Sequence, residues 1–340
     1  QALQLLLQII KSDNYPDAQF TLGMLYATGK GVQKNYTKAI ELLEKAAEQG
    51  HVEAQYQLGI MFLENKNFME AKSWLEKAAS YRYAYAQFYL GLIYLNGYGV
   101  PKDYTQAKEW FEKASEQGLE IAQYSLGDMY CEGNGVKRNY KLANKLFRQA
   151  AEQGILAAQD NLGNNYATGK GVKQDFKQAF NWYKKAALQK HAKSQYHLGI
   201  LYSIGHGVDK DIKLAVMWYT KAALQGDINA QYNLGLIYDR GSIEIPQDKK
   251  KAFELTKAEA MRAFEKLGVK KYKFLKIPAT YLHQEEISSL YKKINEFITM
   301  NSPEIVFIPF PDRHIDHRVI FDGSVVACRP IINNFPRIVL

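Results

Sequence analysis

The segment PDRHIDHR, residues 311–318, places two histidines around an aspartate. Neutral imidazole is a good zinc ligand, and a carboxylate that is hydrogen-bonded to a histidine fixes its tautomer and raises its basicity. His314, Asp316 and His317 are therefore candidate residues of a metal site.

The elements around this motif read as alternating strands and helices. Residues 271–277 and 303–310 predict apolar strands, and residues 285–300 and 317–330 predict helices. Continuous apolar strands that alternate with helices indicate a parallel α/β sheet, in which ligands bind beyond the carboxyl ends of the strands. The motif follows the strand that ends at Phe310 and thus stands at such a position.

Residues from about 254 to 340 resemble the PIG-L/LmbE family of zinc-dependent de-N-acetylases. The likeness includes EAMRAFEKLGV, PEIVFIPF and the His-x-Asp-His motif before the helix predicted over 317–330. The resemblance implies that His317 is a zinc ligand. It also implies that His314 stabilises the tetrahedral intermediate or protonates the amine, and that Asp316 orients His314. Ile315 stands where the family usually has proline.

The other half of that metal site is missing from the sequence. In the family, a His-Pro-Asp-Asp-Glu segment after the first strand supplies two further zinc ligands and the general base, and no such segment occurs here. A catalytic zinc needs about three protein ligands. We therefore expect no catalysis from this chain by itself, and no cofactor unless another chain completes the zinc site.

A repeat organises the first three quarters of the chain. The dipeptide Leu-Gly recurs with spacings of 36, 32, 36, 36, 36 and 36 residues. Its glycines are Gly23, Gly59, Gly91, Gly127, Gly163, Gly199 and Gly235. About a dozen residues after each frame such as AQFTLGMLYATGKGV comes a second frame such as KAIELLEKAAEQG. A fixed period of this length indicates stacked structural repeats.

Each repeat predicts a hairpin of two packed helices. In the first copy, Ala18 and Leu22 lie on one apolar stripe at helical spacing. Gly23 costs about 1 kcal/mol in a helix interior relative to alanine, so its recurrence implies close packing. Gly29 and Gly31 then end the helix with positive φ. One hairpin cannot bury its apolar face alone, whereas a stack of seven can.

The pattern over residues 12–260 closely resembles the Sel1-like repeat, a relative of the tetratricopeptide repeat. The resemblance implies a scaffold or adaptor that holds other proteins or peptides on the concave face of the array. The second copy, with ENKNFM at 64–69, lacks the Gly-x-Gly-Val turn, and residues 2–10 resemble the second helix of a preceding copy. We expect the chain to begin within a repeat.

The position two residues before each repeat glycine is mostly polar and differs between copies, which makes it a candidate partner-binding ladder. It holds Thr21, Gln57, Tyr89, Ser125, Asn161, His197 and Asn233. Tyr89 and His197 are the strongest candidates. The alternative is an ordinary solvated helix face, and the sequence leaves both open.

Composition bears on three further classes of protein: nucleic-acid-binding, disulfide-rich and membrane-spanning proteins. The net charge of +9 invites a nucleic-acid partner, but the excess is spread along the chain. The one cluster, Lys266–Lys276, is better explained as a solvated surface. Only two cysteines are present, Cys131 and Cys328, and they lie far apart in different units, which argues against a disulfide framework or a cysteine-rich zinc site. No apolar run approaches the roughly 20 residues that span a bilayer. We thus expect a soluble protein, whether cytoplasmic, periplasmic or secreted.

These observations predict a mainly α fold: a right-handed α-solenoid over 1–260, followed by a small partial α/β, Rossmann-like segment over 261–340. The helix 251–267 is shared by both. The leading hypothesis is a protein-interaction scaffold with a catalytically incomplete deacetylase-like segment. The alternative is a zinc-dependent de-N-acetylase of N-acetylated sugars, with the repeats as a recruiting arm.

Overall fold

A computed structural model describes residues 15–242, 244–248, 250–252, 255, 307–309 and 326–328. Within these residues lie thirteen complete α-helices of 13 residues each, and residues 250–252 and 255 are also helical. The first helices of the repeats are α1 Pro16–Thr28, α3 Val52–Glu64, α5 Ala84–Asn96, α7 Glu120–Glu132, α9 Leu156–Thr168, α11 Ala192–Ile204 and α13 Ile228–Arg240. The second helices are α2 Tyr36–Glu48, α4 Phe68–Ser80, α6 Tyr104–Glu116, α8 Tyr140–Glu152, α10 Phe176–Leu188 and α12 Ile212–Leu224.

The helix ends follow from local sequence. Gly29 and Gly31 both have φ of +75°, which confirms the predicted turn after α1. An Asn or Asp at the N-cap of most second helices accepts a hydrogen bond from the first-turn backbone, as Asn35 does from the Lys38 amide at 3.0 Å. Such a cap satisfies a backbone donor that has no partner inside the helix. The second repeat lacks the glycine turn, and there Lys66 adopts φ of +59°.

The repeat glycine is the contact point between the two helices of a hairpin. A Cβ built at Gly91 would lie 2.5 Å from the Phe111 ring of α6, and one at Gly163 would lie 2.4 Å from Tyr183 of α10. The corresponding residue opposite Gly23 is Leu43. Only a residue without a side chain permits this approach, which confirms the packing reason predicted for the recurring glycine.

A chain of buried glutamines connects consecutive helices. Gln19 of α1 accepts a hydrogen bond from Nε2 of Gln49, which follows α2, at 2.8 Å. Gln55 of α3 then donates its own Nε2 to the Ala47 carbonyl of α2 at 3.0 Å. The contact from the C-cap glutamine recurs with distances of 2.7 to 2.9 Å at Gln87, Gln123 and Gln195. Each such pair fixes a first helix against the second helix of its own repeat.

Contacts divide the chain into two compact units. The first comprises Gln1–Ser194 and Gly205–Asp209, and the second comprises Gln195–Ile204 and Lys210–Leu340. In the first unit the helices from α1 to α10 stack in sequence order, each against its neighbours along the chain. In the second unit α12 packs against α13 around Ala215, Tyr219 and Leu234. Both units therefore have the predicted α-solenoid packing of helix hairpins.

Two short strands lie near the end of the described residues. Phe307–Pro309 (β1) pairs in parallel with Val326–Cys328 (β2). β1 lies inside the strand predicted over 303–310. β2 lies inside the helix predicted over 317–330, and that prediction is wrong at these three residues, because consecutive valines favour extended backbone. The other predicted elements of the Rossmann-like sheet and the domain boundary at residue 260 lie outside the described residues.

Candidate functional site

Four positions of every first helix form one accessible stripe. They are the residues six and two before, and one and five after, the repeat glycine; in α3 these are Glu53, Gln57, Ile60 and Glu64. All corresponding residues of α1, α5, α7, α9, α11 and α13 are exposed or half-buried. We call this stripe the first-helix face. The spacing places all four residues on one side of a helix.

The predicted ladder residues lie on this face but are not isolated there. Tyr89 lies 5.9 Å from Tyr56 of the preceding repeat, measured between ring centroids. Burial and the charge of Asp128 raise the pKa of Tyr124, also one repeat earlier, and the nearby side chain of Asn161 lowers it. Neighbouring repeats of the first unit thus interlock at this position, with an aromatic residue of one repeat against the ladder residue of the next.

The same arrangement occurs in the second unit. The side chain of Asn233 lies close enough to Tyr196 and Tyr219 to affect the pKa of both phenols. The ring of His197 lies 5.4 Å from that of Tyr196. Burial and the charge of Asp227 raise the pKa of Tyr196, and the nearby side chain of Asn233 lowers it. His197 and Asn233 are half-buried, as is Ser125 in the first unit. Their role as partner-binding residues stays a prediction.

Four tyrosines of the second and third repeats gather on the first-helix face and beside it. Tyr56 lies 5.2, 6.1 and 5.9 Å from Tyr83, Tyr85 and Tyr89, and Tyr83 lies 6.1 Å from Tyr85. We call these residues the tyrosine cluster. Tyr85 is 42% exposed. Burial raises the pKa of Tyr83, and the nearby negative charge of Glu53 raises it further. The ladder position had pointed to Tyr89 alone, because the other three tyrosines stand at different positions of the repeat.

Every charged side chain on the first helices of the first unit is a carboxylate, and α5 has no charged side chain. Helices α1, α3, α5, α7 and α9 contain seven carboxylates and no lysine or arginine. The seven are Asp17, Glu53, Glu64, Glu120, Asp128, Glu132 and Asp160. All except Glu120 and Asp160 lie on the first-helix face. Burial raises the pKa of Asp128, and the charge of Glu132 raises it further. The first basic residue on a first helix is Lys193 of α11.

A buried polar network in the fifth repeat contains residue types found in hydrolases. Ser194 donates to Asp160 at 2.6 Å, and the Nδ1 atom of His191 lies 2.9 Å from the Ser194 hydroxyl oxygen. Asn164 donates to Asp160, and Tyr183 donates to Asn164 at 2.9 Å. Ser194 is fully buried and gives its proton to the carboxylate rather than to the imidazole. The network therefore holds repeats together and has no accessible nucleophile.

The thiol of Cys131 is not activated for chemistry either. Cys131 is half-buried, and burial together with Glu132 and Asp128 raises the pKa of its thiol. The thiolate is the nucleophilic form of cysteine, so this thiol is a poor nucleophile at neutral pH. Among the residues that the structure describes, no group of three or more His, Cys, Asp or Glu side chains could hold a metal ion. In the same part of the chain, no helix is long and apolar enough to cross a bilayer.

The residues predicted for zinc chemistry, His314, Asp316 and His317, lie outside the described residues, as does the Lys266–Lys276 cluster. Their roles in zinc chemistry thus stay predictions.

Comparisons with known proteins bear on the repeats. The model of the Sel1 repeat family matches seven times, at residues 16–51, 52–80, 84–119, 121–155, 156–191, 192–227 and 228–258. A protective antigen of uropathogenic Escherichia coli strains with an SLR fold is 32% identical, with a TM-score of 0.74 over 86% of this chain. This chain covers 63% of that protein's length. A Sel1 repeat protein of Oxalobacter formigenes is 34% identical, with a TM-score of 0.63 over 75% of each chain. The search of curated proteins found no match.

Proposed function

Because the chain belongs to the Sel1 repeat family, we propose that it is a protein-interaction scaffold that holds a segment of another protein on its first-helix face. We predict that this face lines the concave side of the array. A Sel1 repeat scaffold is consistent with protein–protein interaction, and the particular face and its residues are the content of this proposal.

The observation that carries the proposal is a contrast within one repeat. The positions that pack the hairpins change little: the repeat glycine, the buried glutamine before it and the alanines of the second helix recur along the chain. The positions of the first-helix face differ from copy to copy, and all of them remain accessible. A surface whose side chains vary on a constant frame suits recognition of one particular partner, because binding residues are placed on rigid elements.

A cross-linking experiment tests this assignment. A photoreactive amino acid replaces Gln57 or Ser125 on the first-helix face, and Ser73 or Glu109 as matched accessible positions of second helices. In extract of the native host, we expect the first two positions to cross-link a distinct partner protein and the two control positions not to. Cross-linking of the same partner from the second helices only would contradict the proposal.

The alternative function, a zinc-dependent de-N-acetylase, depends on His314, Asp316 and His317. The family match ends at residue 258, before all three. No observation on the described residues favours this chemistry, so it remains a prediction.

A further inference from the structure

We propose that the tyrosine cluster, together with Glu53, is a docking site for arginine or lysine side chains of an extended basic segment in a partner protein. This inference rests on the proposed function, because it names the kind of partner that the first-helix face holds. It commits to a polypeptide with several positive charges, rather than to a small cation or a nucleic acid.

The geometry of the cluster suits cation binding. Within each pair, the rings of Tyr56, Tyr83, Tyr85 and Tyr89 are tilted by 45° to 52°, so they are not stacked face to face. Tilted rings leave parts of their negatively polarised faces open, and a cation within about 6 Å of such a ring is attracted to it. Each phenol oxygen can also accept a hydrogen bond from a guanidinium or ammonium group. The cluster thus offers several acceptors in a small area.

The chain's own cations bind elsewhere. Lys77, Lys113 and Lys185 lie over tryptophans of their own second helices, with distances of 3.7 to 4.2 Å from the ammonium nitrogen to the ring centroid. Among the cation–ring contacts of the described residues, none involves a tyrosine of the cluster. Arg82, which precedes Tyr83 in sequence, lines a cavity with Glu76 and Trp110 at the ends of the second helices. The cluster therefore keeps its acceptor surface for a cation from outside.

The carboxylates near the cluster indicate that the partner is positively charged. The Glu53 carboxylate is 55% exposed. The Nδ1 atom of His51, which accepts from the Ala54 amide, lies 3.7 Å from it, and the Nε2 atom of the same ring lies 3.1 Å from Asp17. Further carboxylates of the first-helix face lie on either side of the cluster along the stack, in α1 and α7, with no lysine or arginine among them. An occupant that meets several of these carboxylates must be elongated and carry several positive charges. A nucleic acid would be repelled by the same groups.

A peptide titration tests the inference. The full chain is titrated with a twelve-residue peptide of alternating arginine and serine, and with matched peptides in which citrulline or glutamate replaces arginine. We expect the arginine peptide to bind more tightly than the citrulline peptide, because citrulline keeps the shape of arginine without its charge. A cation–aromatic contact at an accessible site accounts for about 2- to 5-fold in affinity. Tyr85→Ala and Glu53→Gln should each weaken arginine-peptide binding by roughly 3-fold.

Matched controls are available in the same repeats. Tyr81 is 62% exposed and lies outside the cluster, and Glu70 is an exposed carboxylate of α4. Tyr81→Ala and Glu70→Gln should leave binding unchanged, and circular dichroism should show equal helix content in all four variants. Equal binding of the arginine and citrulline peptides would overturn the inference, and so would an affinity that Tyr85→Ala does not change. If cross-linking from Gln57 and Ser125 persists in that case, the scaffold function stands and only the basic partner is wrong.

Discussion

Gln55 is one of seven buried glutamines that recur along the first helices, and its bonding is incomplete. Its Nε2 atom donates to the Ala47 carbonyl, but its Oε1 atom is buried with no hydrogen-bond partner. In most repeats a glutamine at the C-cap of the second helix donates to this oxygen. In the second repeat that C-cap residue is Tyr81, whose exposed phenol makes no such bond. The oxygen of Gln55 thus lacks the donor that a C-cap glutamine supplies elsewhere, whereas the Oε1 atom of Gln159 is also buried without a hydrogen-bond partner although Gln189 stands at the C-cap of α10.

Tyr81→Gln should supply the missing donor and stabilise the chain. A net hydrogen bond is worth about 1 kcal/mol, and relief of an unsatisfied buried acceptor adds to it, so we expect the free energy of unfolding to rise by at least about 1 kcal/mol. Urea denaturation monitored by circular dichroism measures this gain. The same substitution in a Gln55→Leu background removes the acceptor and should give no gain. An equal gain in both backgrounds would contradict the assigned cause.

At the scale of the element, the hairpin depends on close approach of two helices at the repeat glycine. Alanine has a higher helix propensity than glycine by about 1 kcal/mol, so Gly91→Ala would stabilise an isolated α5. In the hairpin the new Cβ would lie 2.5 Å from the fully buried Phe111 ring, and overpacking of this kind costs roughly 1–3 kcal/mol. We expect net destabilisation by about 1 kcal/mol or more. Urea denaturation checks it, with Ser73→Ala at an exposed helix position as the control; equal stability of Gly91→Ala and the parent would contradict the contact.

The hairpins could be predicted because their signals are local and recur seven times. Gly23, Gly29 and Gly31 each have a single physical explanation, and the structure confirms it at all three. Among the tryptophans of the second helices, Trp182 and Trp218 lie in the core, whereas Trp110 is half-buried. The prediction of a helix was wrong at β2. A short apolar run is compatible with a helix or a strand, and its valines favour the strand.

The candidate site was predicted only in part, because its residues come together through stacking rather than through spacing in one repeat. The ladder position identified Tyr89, but Tyr83 and Tyr85 belong to the start of α5 and contact Tyr56 of another repeat. The acidic character of the first helices was readable from the sequence. The net positive charge of the whole chain hid it, since lysines of the second helices and turns outnumber these carboxylates.

At the scale of the whole molecule, charge is segregated: the chain carries a net charge of +9, whereas the first helices of the first unit carry only carboxylates. A basic peptide is therefore repelled by the molecule at long range and attracted by the first-helix face at contact. The Debye length is about 30 Å at 0.01 M salt and about 8 Å at 0.15 M. Added salt therefore weakens the long-range repulsion by the net charge at low concentration. The attraction between charges a few ångströms apart is weakened only at higher salt concentration.

We therefore expect the affinity of the arginine peptide to rise between about 0.01 and 0.1 M salt and to fall only above that range. Titration calorimetry at a series of sodium chloride concentrations measures the trend. The glutamate peptide is attracted by the net charge alone, so its weak binding should decrease steadily over the whole range and serves as the control. A steady, steep decrease for the arginine peptide from the lowest salt would show that the positive charge of the chain is not felt at the first-helix face. The local carboxylates would then govern both encounter and contact.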